Sequence, residues 1–315
     1  MCACVRSAIR STLPGVKVRA DAITLEEPLA AGVEDASVVV EPLEAGRAIQ
    51  PSGFFESEGG LLAAPRALGL GVPKSSWMDL PVPAFLVHHP GAGPILIDTG
   101  LHPSIANDPK DNMGRFLGRF YELEQGSDVS SQLRERGISP NDIAVVVVTH
   151  LHADHASAIS EFPEATFVVS APEWKEATEN PKTINGYHPP HYDFAFDFCT
   201  VDFDGEGIES YGPFGRTFDL FGDGSVRLVF TPGHTHGHMS VIVRLPRRDF
   251  VVVGDVAYTW RQFEGGPEPY RVADRHNWRR SLKEMQAYRE AYPYALIVPG
   301  HDPVFWEKLD ARYEQ

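Results

Sequence analysis

Cysteine is scarce in this 315-residue chain: Cys2, Cys4 and Cys199 are all it has. Two stand in the first four residues and the third is isolated, so no disulfide framework can staple the fold. A reducing compartment, the cytoplasm, is the expectation. Long apolar runs are missing too. None approaches the roughly 18–20 residues that a membrane-spanning helix needs. The stretch Met1 to Val18 has arginines and serines but not the apolar core of a secretory signal, so it reads as a tail rather than a leader. Basic charge is in deficit, with 28 lysines and arginines against 43 aspartates and glutamates, a net charge of -15. Such a surface repels phosphate backbones and argues against a nucleic-acid partner. Arg247-Arg248 and Arg279-Arg280 are too short to form a basic patch. A small neutral or apolar-chain substrate is the better match, with no membrane partner.

The remaining composition, 43% hydrophobic and 23% charged, is that of a globular protein with a sizeable core. Residues 1–35 read as a tail and an early strand, and 36–315 as a single domain. Ser37 to Val40 predicts a strand, followed by a polar connection near Gly46 to Phe55. Pro81 to His88 and Pro94 to Asp98 flank the turn Pro90-Gly91-Ala92-Gly93 and predict a hairpin. Ser127 to Arg136 has helical spacing and a glycine stop at Gly137. Ile143 to Val148 is a continuous β-branched run, the mark of a strand buried on both faces. Further strands are predicted at Ala165 to Ser170, Val226 to Phe230, Met239 to Leu245, Asp249 to Gly254 and Ala295 to Val298. Helices are predicted at Ala171 to Thr178 and from Asn277 to Ala291. Residues 181–198, rich in Pro, His, Tyr and Phe without period, predict a long surface loop. Strands alternating with helices indicate an α/β fold.

Histidine placement carries the chemistry. Of 13 histidines, five fall just beyond predicted buried strands. His150 and His152 are two apart in an extended segment, which sends both imidazoles to one side. Asp154 and His155 follow on the next turn. Desolvating so many titratable groups is costly unless something binds them, and nitrogen and carboxylate donors of this kind suit zinc and neighbouring divalent metals.

His150-Leu-His152-Ala-Asp154-His155 resembles the H-x-H-x-D-H signature of the metallo-β-lactamase superfamily. Asp98-Thr99-Gly100, Thr231-Pro232-Gly233-His234-Thr235-His236-Gly237-His238, Gly254-Asp255 and Gly300-His301 resemble that family's other motifs, in the same order, over roughly residues 80 to 302. The resemblance implies an αββα sandwich: two mixed β-sheets flanked by helices. It implies that His150, His152 and His234 hold one metal, that Asp154, His155 and His301 hold a second, and that Asp255 bridges them. Two divalent ions, zinc first and cobalt, manganese or iron as alternatives, would generate a bridged hydroxide for hydrolysis. Asp154 would also carry the proton to the leaving group. Asp98 and His238 are expected to orient ligands, and His236 to lie at the rim.

Asp255-Val256-Ala257-Tyr258 narrows the substrate, because it looks like the N-acyl homoserine lactonase branch, in which a tyrosine at that spacing hydrogen-bonds the lactone. Tyr258 is therefore a second catalytic candidate. The aromatics Tyr187, His188, Tyr192, Phe194, Phe196, Trp260 and Phe263 leave two readings: an apolar slot for an acyl chain, or loop packing and a homodimer interface. Phe54, Phe55, Trp77 and Met78 stand where they can lean over the site. The expectation is thus a two-metal lactonase. An aryl-ester or organophosphate hydrolase is the alternative within the fold, and a mononuclear iron persulfide dioxygenase is the alternative outside hydrolysis.

Overall fold

The computed structural model describes residues 18–57 and 59–315, so Cys2, Cys4 and nearly all of the expected tail lie outside the described residues. Among the described residues, fourteen strands form two sheets. The first has the order β1 (Ala22–Thr24), β8 (Asp197–Val201), β7 (Thr166–Ser170), β6 (Val145–Val147), β4 (Gly93–Ile97), β3 (Trp77–His89), β2 (Val39–Pro51), β5 (Tyr121–Glu122). The second has the order β14 (Leu296–Pro299), β13 (Asp249–Gly254), β12 (Met239–Arg244), β11 (Val226–Phe230), β10 (Phe214–Asp219), β9 (Glu209–Tyr211). Both sheets are mixed: β4, β6, β7 and β8 run parallel, as do β13 and β14, while the hairpins are antiparallel.

Strand alternation explains the layers. In register, Ile97, Val147 and Val168 point to one face of the first sheet and pack against Leu228, Val241 and Val252 of the second. Their neighbours Leu96, Val146 and Phe167 point the other way, against Val129 and Leu133 of α4 (Val129–Glu135). The second sheet does the same with Val251 and Val253, which meet Trp278, Leu282, Met285 and Tyr288 of α8 (Arg275–Ala291). Those four helical residues recur every three or four positions, so one stripe is buried and the rest of the helix is wet. Central strands buried on both faces must be apolar throughout, which is why Ile143 to Val148 has no polar break. The result is the expected αββα sandwich. Cys199 is buried between the sheets.

The remaining helices are short: α1 (Ser52–Phe55), α2 (Ala63–Ala67), α3 (Pro109–Leu117), α5 (Ala153–Ala156), α6 (Ala171–Glu179), α7 (Trp260–Phe263) and α9 (Pro303–Trp306). Three features differ from the sequence expectation. β2 runs 13 residues, through the segment expected to be a polar connection. Its charged residues Glu41, Glu44 and Arg47 lie on partly exposed positions, and a register shift between Glu44 and Arg47 lets the strand continue past Gly46. The β9–β10 hairpin and α3 carry no strong sequence period. The 181–198 segment is no free surface loop: Tyr187 and Tyr192 are buried, and β8 begins inside it.

One consequence positions the site. β4, β6, β13 and β14 all end at the same edge of the sandwich, delivering Asp98, His150, Asp255 and His301 within a few residues of their strand ends. Ligands of α/β sheets gather at such carboxyl ends.

Candidate metal centre

Two of the histidines come from the extended segment after β6, and Asp154 and His155 from the first turn of α5 that follows it. The change from strand to helix splits the cluster into two directions. Three groups of donors converge: His150, His152 and His234; His150, His155 and Asp255; Asp154, His155 and His301, the atoms of each lying within 4.8 Å of one another. His234 Nε2 is 3.1 Å from His150 Nε2 and 2.9 Å from His152 Nδ1. Asp154 Oδ2 lies 3.9 Å from His155 Nε2 and 3.8 Å from His301 Nε2. Asp255 stands between the groups. Its Oδ2 is 3.1 Å from His234 Nε2 and 3.7 Å from His150 Nε2, and its Oδ1 is 3.1 Å from His301 Nε2 and 3.6 Å from His155 Nε2. Each oxygen faces a different set of imidazoles, as a bridging carboxylate must.

The donors fit divalent cations. Three histidine nitrogens point at one another around His234, more lone pairs than shared protons can satisfy, and the buried Nε2 of His155 has no hydrogen-bond partner. Burial holds His152 down at about 4, leaving a neutral imidazole that can ligate. Burial also opposes charge on His155, yet Asp98, Asp154 and Asp255 around it outweigh this and raise it to about 10. A site that attracts a proton so strongly attracts a metal cation for the same reason.

Outer contacts hold the donors in place. Asp98 Oδ2 accepts from His155 Nδ1 and Thr149 Oγ1, both at 2.8 Å, and Oδ1 accepts from Thr149 N at 2.8 Å. Its backbone is left-handed, φ 59°, a strained state that such bonds must maintain. His301 Nδ1 donates to the Pro81 carbonyl at 2.8 Å. His238 Nε2 accepts the amide of Asp255 at 2.9 Å, while its Nδ1 faces Thr231 O at 3.2 Å. A Cβ at Gly254, φ 60°, would lie 2.6 Å from that His238 nitrogen, so only glycine lets Asp255 reach its place. The Tyr258 hydroxyl is 3.0 Å from His234 Nδ1. With a metal on His234 Nε2, Nδ1 would carry the proton and donate to the phenol oxygen, which would leave the phenol hydrogen for another acceptor.

The donors form the floor of a cavity of about 660 Å³. Phe54, Phe55, Leu68, Phe116, Phe120 and Tyr121 give its lining apolar surface, and Lys182, Asn185, His236 and Arg271 add polar groups. His236 is exposed at the rim. Of the aromatics proposed from sequence for a slot, Tyr187 reaches the cavity, whereas Tyr192, Phe194 and Phe196 pack behind the first sheet and Phe263 under α8. Trp77 and Met78 do not line it but pack against the cluster of Phe55 and Phe120 that does. Phe116, Phe120 and Tyr121 were missed, although two aromatics four apart before a short strand were there to be seen. Glu173 was missed as well, having been read only as part of a helix.

A sequence profile described as the metallo-beta-lactamase superfamily matches residues 77–301. The chain belongs to the metallo-β-lactamase superfamily. Within it, this protein falls in the N-acyl homoserine lactonase-like branch. It is 33% identical to the N-acyl homoserine lactonase AttM of Rhizobium radiobacter over 233 residues, 72% of this chain and 84% of the relative. Among solved structures, an N-acyl homoserine lactone hydrolase with N-hexanoyl-L-homoserine at its catalytic metal center superposes with a TM-score of 0.67 at 21% identity, covering 90% of this chain and 98% of that one. AidC, a dizinc quorum-quenching lactonase, superposes with a TM-score of 0.56 at 16% identity over 90% of this chain and 92% of its own. These structural likenesses speak to the fold. No helix among the described residues is long and apolar enough to cross a membrane.

Proposed function

We propose that the protein is a metal-dependent lactonase that opens N-acyl homoserine lactone-like rings, with two divalent ions, zinc above all, in the centre. The observation that carries this reading is Asp255, whose two oxygens face two separate histidine groups beneath a cavity with an apolar side. When bound, the ions supply a water ionised near neutral pH and positive charge beside the carbonyl. His150, His152 and His234 would hold one ion, Asp154, His155 and His301 the other, and Asp255 both.

The protein's own groups do the rest. Tyr258, its oxygen engaged by His234, has its hydrogen free to donate to the carbonyl oxygen as charge builds there. The water oxygen bonds to the carbonyl carbon as its proton passes to Asp154, the ring C–O bond then breaks, and Asp154 returns that proton to the departing alkoxide. Phe54, Phe116 and Phe120 offer an apolar path for the acyl chain. The relatives named as N-acyl homoserine lactonases favour this substrate over aryl esters or organophosphates.

A pH-stat assay on acyl homoserine lactones of graded chain length, with metal content measured on the same sample, tests the reading. Acid release from the ring at about two metal ions per chain is expected. Fast aryl-ester or phosphotriester cleavage without lactone turnover would replace the substrate. One iron per chain with dioxygen uptake would replace the reaction.

A further inference from the structure

Glu173, in the first turn of α6, is fully buried, and the groups that meet its carboxylate are amides and hydroxyls. Its Oε1 accepts the Leu151 N–H at 2.9 Å and the Tyr187 O–H at 3.0 Å. Its Oε2 has no hydrogen-bond partner, although the Thr235 side chain and the Gly237 backbone lie beside it, and burial raises its pKa. A buried carboxylate is expensive unless its bonds repay it, so the position of those bonds matters.

One of them falls on a ligand-bearing segment and the other on a residue packed against it. Leu151 lies between His150 and His152, so its amide cannot shift without moving both imidazoles. Tyr187 packs its ring 5.1 Å from the ring of His152, and the two residues pair as a backbone bridge. Ala153, on the other side of His152, donates its N–H to Gly186 O at 3.1 Å. Thr235 and Gly237 follow His234 on the third segment. That loop rests directly on α6: a Cβ on Gly237 would lie 2.1 Å from the Glu173 nitrogen, and Ser170 donates to the Gly237 carbonyl.

The other donor group is held by different partners. His155 is fixed by Asp98 and His301 by the Pro81 carbonyl. Glu173 touches neither.

We propose that Glu173 is a positioning residue for one half of the centre: it locks the His150–His152 segment to the His234 loop and to Tyr187, and thereby sets metal affinity at the His150, His152 and His234 group alone. This rests on the two-metal reading above.

The test uses the full chain, stripped of metal and titrated with Zn²⁺ against a chromophoric chelator, for the wild type, Glu173→Gln and Tyr187→Phe. Two zinc affinities are expected in the wild type. In Glu173→Gln one of them should weaken by about tenfold to a hundredfold, as loss of an outer contact does, with the other unchanged. The Co²⁺-loaded variant should show an altered visible absorption band, and kcat should fall with KM nearly constant. Tyr187→Phe should weaken the same site by less. Wild-type affinity at both sites in Glu173→Gln overturns the proposal. So does equal weakening of both, accompanied by a lower unfolding temperature of the metal-free protein, since that marks a general structural role. If Glu173→Gln does not fold, unchanged affinity in Tyr187→Phe is decisive against it. A wild type that binds fewer than two zinc ions sinks the two-metal reading itself, and does so before any variant is made.

Discussion

The two walls of the cavity are built on different principles. The floor consists of polar atoms at strand ends, where nearly every donor has a second contact: Asp98 behind His155, Pro81 behind His301, His238 behind the Asp255 amide. The apolar cover comes from α1, α2 and the α3–β5 segment, and is held by ring packing such as Phe55 on Tyr258, 4.8 Å apart. Its outer residues remain in water: Leu68 is 50% exposed and Phe116 43%. A metal site needs its atoms placed to tenths of an ångström, so hydrogen bonds determine it; an acyl chain needs only an oily surface of roughly the right shape. Changes to the floor should therefore be felt as lost metal and lost turnover, and changes to the cover as altered substrate preference.

The largest effect is expected from Asp255→Ala, which removes the group common to both donor sets. Activity should fall to background and metal analysis should show the loss of at least one ion per chain. Asp98→Asn comes next. It removes the charge that holds His155, and a loss of about tenfold to a hundredfold in metal affinity is expected by chelator competition. Tyr258→Phe should leave metal content intact and lower kcat; wild-type turnover in that variant would reduce the tyrosine to packing. On the cover, Phe120→Ala should raise KM for long-chain lactones by roughly tenfold, from the loss of about 1.5 kcal/mol of apolar contact, with kcat and short-chain substrates nearly untouched. A fall in kcat with metal loss there would erase the contrast between the walls.

The smallest effect concerns the strap that ties the cover down. Glu268 binds Arg279 and Arg275, and its carbonyl accepts from Ser57 N at 2.9 Å. The Arg279 hydrogen bond, and then that of Arg275, outweighs partial burial and holds its carboxyl below the ordinary 4.5. A lowered pKa contributes stability above the unfolded value that disappears as pH falls through the folded one. Glu268→Gln should thus cost under about 1 kcal/mol at pH 7, because the pair is solvent-screened, and close to nothing below its folded-state pKa. Thermal unfolding at the two pH values checks the sign.

The candidate ligand residues were readable along the chain because they follow buried strands, and a buried strand announces itself by an unbroken apolar run. His150 after Val148, Asp255 after Val253 and His301 after Val298 follow that rule. The cover was not readable. Phe116 and Phe120 lie beside a kink at Gly114, φ 71°, inside α3, which breaks any helical period. Tyr192 and Phe194 stayed open between slot and packing because aromatic crowding says nothing about direction. Glu173 was invisible for a related reason: a glutamate in a helical first turn ordinarily faces water, and only the approach of Gly237 and Leu151 from distant segments makes it a buried acceptor.

What the sequence determined by itself is the layered fold and the list of candidate donors, since both depend on local spacing: period two in strands and histidines or carboxylates at their ends. What tertiary structure alone decided is which oxygen of Asp255 faces which histidines, that Tyr258 stands against His234, and which aromatics reach the cavity. Those depend on distances between segments separated by tens to hundreds of residues, and no local pattern encodes a distance of that kind.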